Sequence, residues 1–76
     1  MTEMTVKQAF EHAGLEAKET RWSFYNAPCA WEVKNAKGIV FKVREANWGQ
    51  YTVDSPEKRL CTHCLFRTAV KLIKTN

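Results

Sequence analysis

After Glu57 the chain has no acidic residue, although Lys58, Arg59, Arg67, Lys71 and Lys74 all follow it. Other absences narrow the function. The longest stretch without charge, Trp22 to Trp31, falls far short of the ~18 apolar residues that a membrane span requires. Met1-Thr2-Glu3-Met4-Thr5 has neither the basic start nor the apolar run of a secretion signal, so a soluble cytoplasmic chain without membrane attachment is expected. No paired carboxylates, phosphate-cradling glycine loop or nucleophile–base–orienter set is visible, which argues against an enzyme and against a bound cofactor. There is no internal repeat or linker. The 76 residues fit one small domain spanning 1–76. At 0.05–0.15 kcal/mol per residue its stability should be roughly 4–11 kcal/mol. No pattern specifies an oligomeric state.

Cysteine is scarce and odd in number: Cys29, Cys61 and Cys64. Without a secretion signal, that count argues for reduced thiols over a disulfide framework. Charge is unevenly placed. Glu3, Glu11, Glu16 and Glu19 outweigh Lys7 and Lys18 in the first twenty residues, whereas the tail from Lys58 onward is purely cationic and accounts for the net +4. Such a field attracts phosphate backbones or acidic protein surfaces.

Local signals then give an order of elements. Thr5 and Gln8 form a capping-box pattern for a helix over Val6 to Ala13, with Gly14 as its left-handed stop and Leu15 as the accompanying apolar contact. A strand is expected around Trp22-Ser23-Phe24, before the turn chemistry of Asn26-Ala27-Pro28. Trp31 to Lys34 and Ile39 to Arg44 alternate as strands. Asn35-Ala36-Lys37-Gly38 between them suits a type I turn closed by a glycine bulge. That turn sets Val33 opposite Phe41, Trp31 opposite Val43, and Glu32 opposite Lys42 on the other face. Ala46-Asn47-Trp48-Gly49 turns into a further strand over Gln50 to Val53. Ser55, Pro56 and Glu57 then read as cap, first turn and dipole partner of a helix continuing to about Lys74. The expected fold is α+β: a short N-terminal helix, a three- to four-stranded antiparallel meander and a long amphipathic C-terminal helix on one face. In order and size this arrangement resembles a double-stranded-RNA-binding domain, but Lys58-Arg59-Leu60-Cys61-Thr62 does not match that family's basic helix start.

On that expected helix Cys61, Cys64, Leu65, Thr68, Ala69 and Leu72 would form the buried stripe. Arg59, His63, Arg67, Lys71 and Lys74 would line the opposite side. Like charges one turn apart cost roughly 0.2–0.5 kcal/mol per pair, and no glutamate relieves them. These five residues, with Trp48 in its turn beside Gly49, are the candidate binding residues. Cations near a helix end also gain from its dipole, which accounts for part of Lys71 and Lys74.

Cys61-Thr62-His63-Cys64 invites three chemical readings. Zinc would need Cys29 and either His12 or His63 as further ligands, and a helical segment turns His63 away from the thiols. A thiol–disulfide enzyme carries its pair at a helix start following a strand. A cysteine nucleophile lacks an orienting third group. The plainer reading, two small apolar side chains in a buried stripe, requires none of these. Of the aromatic residues, alternation assigns Trp31, Phe41 and Tyr51 to the core. The function expected is a non-enzymatic module that contacts nucleic-acid phosphates through the basic helix face. The alternative is a small accessory or inhibitor protein, of the kind encoded by phages and mobile elements, on an acidic surface of a larger host protein or nucleoprotein machine.

Overall fold

The computed structural model describes residues 4–23, 27–47 and 49–76. Helix α1 (Val6–His12) starts with the capping box: the Gln8 amide donates to Thr5 Oγ1 at 3.1 Å, and the Thr5 amide donates to Gln8 Oε1 at 3.0 Å. It ends in a Schellman pair, Leu15 N–H to the Phe10 carbonyl and Gly14 N–H to the Glu11 carbonyl, with Gly14 at φ 89°. The reversal lets Leu15 fold back into the same apolar cluster as Phe10.

Five strands follow as an antiparallel meander in the order β1 (Glu16–Trp22), β2 (Pro28–Lys34), β3 (Val40–Asn47), β4 (Gln50–Asp54) and β5 (Arg59–Leu65). Helix α2 (Phe66–Thr75) closes the chain. The β2–β3 register is the one the turn chemistry dictates: Val33 faces Phe41, Trp31 faces Val43 and Glu32 faces Lys42. Gly38, at φ 86°, donates to the Asn35 carbonyl and closes the turn. The inward faces of β2, β3 and β4 bury Trp31, Val33, Phe41, Val43, Tyr51 and Val53. Phe10 of α1 and Phe66 of α2 meet over them with ring centroids 4.7 Å apart, so both helices lie on the same side of the sheet.

The C-terminal third differs from expectation. Arg59 to Leu65 is a strand, so the sheet has five strands where three to four were expected, and the final helix is only ten residues long. The Ser55 signal is locally genuine: the Lys58 amide donates to Ser55 Oγ at 3.1 Å, the same i to i+3 bond that a helix cap makes. The Ser55 N–H also donates to the Lys58 carbonyl at 2.8 Å, which closes a hairpin turn instead of opening a helix. Pairing β5 with β4 satisfies the open backbone edge of β4 and brings Leu60, Cys61 and Cys64 onto the core. A helix begun at Ser55 would leave that edge bare.

The strand expected at Trp22-Ser23-Phe24 lies earlier, as β1, and its Phe24 falls outside the described residues. Of β1, Ala17 packs against the core, and its other positions are mostly charged, which hides the alternation. One long-range bond ties the two ends of the fold. Asn35 Nδ2 donates to the Ile73 carbonyl at 2.8 Å, while its Oδ1 accepts from the Lys37 and Ile39 amides at 3.0 and 3.1 Å. Among the described residues no helix is long and apolar enough to cross a membrane.

Candidate functional site

Strand β5 explains both the cysteines and the histidine. From Cys61 to Cys64 it takes three steps while β4 takes two, from Val53 back to Tyr51. Residues three apart on a regular strand point to opposite faces. The extra residue of a β-bulge cancels that reversal, so both thiols stand beside inward-facing β4 residues. His63 absorbs the bend at φ 58°, the left-handed region, and is exposed. Spacing that reads as one face of a helix is therefore met by an irregular strand.

The cysteine readings change accordingly. Cys64 is buried and donates to the Tyr51 carbonyl at 3.2 Å, whereas Cys61 is half-buried and directs its thiol to the Thr62 carbonyl at 3.6 Å. Burial, then the neighbouring Cys61, pushes the Cys64 thiol from 9.0 up to about 11, the opposite of an activated nucleophile. Tyr51 moves the same way, through burial and then the Glu45 charge. Among the described residues no group of three or more His, Cys, Asp or Glu side chains is placed to hold a metal ion. The cysteines do line the core, but from a strand rather than from the expected helix.

The five basic candidates are split. Arg67, Lys71 and Lys74 share the exposed side of α2; at 100° per residue they lie within about a 60° arc. Ala69 and Ile73, fully buried, occupy the opposite side. No acid lies on α2, and none of the three cations is in a recorded ion pair among the described residues. Arg59 does not join them. It pairs across strands with Asp54, on the sheet face away from the helices, and its Nε lies 2.8 Å from Asp54 Oδ1. That hydrogen bond and the carboxylate's charge raise the Arg59 pKa further. His63 sits on the edge-strand bulge, not on a helix, so a single five-residue cationic helix face does not exist. Trp48 lies outside the described residues.

The outer face of the sheet carries charged rows that the sequence reading did not isolate. Cross-strand partners place Lys18, Glu32, Lys42, Asp54 and Arg59 in one row of strictly alternating sign. Glu16 and Lys34 form the next row, with Lys34 Nζ 3.9 Å from Glu16 Oε2. Towards the other end, Arg21, Ala30, Arg44 and Thr52 make a row with two cations and no acid. The signal was present in the sequence, but only the complete register assembles it. Comparison with protein-family models, curated proteins and solved structures found no match to this chain.

Proposed function

We propose that the protein is a non-enzymatic binding module whose α2 face, Arg67, Lys71 and Lys74, docks on nucleic-acid phosphates. The observation that carries this reading is three exposed cations aligned on a helix without a single acid, directly opposite its buried side. A face serving only solubility would gain from interspersed glutamates, which remove like-charge repulsion at one-turn spacing. Binding through phosphates is salt-sensitive and carries little sequence discrimination.

The split of the basic residues sets the magnitude. Three phosphate contacts give a slope of about −2.7 in log K against log salt on duplex DNA, or about 40-fold weaker binding between 50 and 200 mM salt. Five contacts, as a continuous basic helix would supply, give about 500-fold. Titration of labelled duplex across that range tests the reading. The expected slope lies near the three-contact value, and replacement of all three cations by alanine removes most of it. Absence of binding at the lower salt refutes the proposal. Equal binding to an acidic peptide would favour the alternative, an accessory protein on an acidic partner.

A further inference from the structure

We infer that Cys61 and Cys64 are a reversible redox site, a dithiol that closes to an intrachain disulfide across the β5 bulge when oxidised glutathione, a small-molecule disulfide, is the oxidant. The inference stands apart from the α2 interface and does not depend on it. Geometry comes first. On a regular strand, residues three apart point to opposite faces, so a Cys-x-x-Cys spacing cannot close. The extra residue between Cys61 and Cys64 removes that obstacle: Cys61 stands opposite Val53 and Cys64 opposite Tyr51, both inward-facing on β4.

Val53 and Tyr51 are two residues apart, which sets the backbones of the two cysteines roughly 6.8 Å apart. Disulfides join Cα atoms separated by about 4.4–6.8 Å, so closure asks for a small contraction of β5. An edge strand can contract without disturbing a second ladder, and β5 is the last strand of the sheet. Proximity shows chemically as well. After burial, the side chain and then the charge of Cys61 raise the Cys64 pKa, an effect of neighbouring sulfurs. Cys29 is on β2, three strand spacings or roughly 14 Å from β5, too far to compete for either thiol.

Accessibility assigns the roles. Cys61 is half-buried on the edge strand, whereas Cys64 is buried with its thiol on the Tyr51 carbonyl at 3.2 Å. The Cys61 thiolate attacks one sulfur of oxidised glutathione, the S–S bond breaks, and the first glutathione leaves as a thiolate. Cys61 then carries a mixed disulfide and no charge, so its opposition to Cys64 ionisation ends. The Cys64 thiolate attacks the Cys61 sulfur and the second glutathione leaves. Two electrons pass from the cysteines to glutathione, and their two protons end on the departing thiols. The loop so closed is short and constrains the unfolded chain little, while closure removes the proton that Cys64 shares with Tyr51. Such a bond is readily reduced again.

The test equilibrates the full chain in glutathione buffers from fully reduced to fully oxidised, blocks free thiols with N-ethylmaleimide and reads tryptic peptides by mass. Cleavage after Arg59 and Arg67 leaves Cys61 and Cys64 on one peptide, and Cys29 on another. The 60–67 peptide is expected to lose two hydrogen atoms as the buffer becomes oxidising and to regain them with dithiothreitol. Cys64→Ser should stop at one glutathione on Cys61. Cys61→Ser should slow glutathione uptake at Cys64 by at least about tenfold, because the remaining thiol is buried. Two glutathiones on the 60–67 peptide, disulfide-linked dimers through it, or an unoxidised pair in fully oxidised buffer would each overturn the inference.

Discussion

Replacing His63 by glycine and, separately, by alanine distinguishes the bulged strand from a helix by the sign of one free-energy difference. At φ 58°, His63 lies where a Cβ is crowded against the following carbonyl. That crowding costs roughly 1–2 kcal/mol for a residue with a side chain and nothing for glycine. Against it stands the larger backbone entropy that glycine loses on folding, about 0.5–1 kcal/mol relative to alanine. The glycine variant should thus be the more stable of the two by about 0.5–1 kcal/mol, a rise of about 4 °C in Tm for a domain of this size. His63 is exposed, so neither variant opens a cavity. In a helix interior the order reverses, with alanine about 1 kcal/mol better than glycine. Urea unfolding followed by circular dichroism reads the difference directly. An alanine variant more stable than the glycine variant would refute the bulge and return Cys61 and Cys64 to a helix.

Asn35→Ala removes one donor and one doubly used acceptor at a buried position, leaving the Ile73 carbonyl without its 2.8 Å partner. The expected cost is about 2–4 kcal/mol in equilibrium unfolding, and a loss below 0.5 kcal/mol would be evidence against the staple. Asn35→Asp, which keeps the acceptor, should recover part of it. Cys64 makes stability fall at alkaline pH. Its folded pKa of about 11 exceeds its ordinary 9.0, so the folded state holds the proton more tightly. The contribution is complete below pH 9 and lost as pH rises towards 11; Cys64→Ala should flatten that decline in pH-dependent unfolding. Iodoacetamide near pH 8 should modify half-buried Cys29 and Cys61 well before buried Cys64, as read by peptide mass.

Local chemistry was legible wherever a signal and its partner lie close in sequence. The Thr5–Gln8 capping box, the Gly14 stop and the Asn35–Gly38 turn each specify their own geometry, and the turn also sets a strand register. Two features escaped such reading for definable reasons. Strand β1 sits at a sheet edge with Ala17 as its contact to the core, so alternation carries almost no apolar contrast. Strand β5 contains a bulge, which shifts the parity of every later residue and lets Cys61 and Cys64 imitate helical spacing. Ser55 added to the confusion because its bond to the Lys58 amide is common to a helix cap and to a tight turn. Arg67, Lys71 and Lys74 survived the error since they lie beyond the bulge, on the portion that is helical.

Backbone amide resonances of the isotopically labelled protein, followed while unlabelled duplex is added at low salt, address the α2 interface most directly. The account predicts shifts concentrated from Phe66 to Thr75, strongest around Arg67, Lys71 and Lys74 and reversed by added salt. Saturation with duplex that moves resonances elsewhere while leaving α2 unperturbed would contradict it.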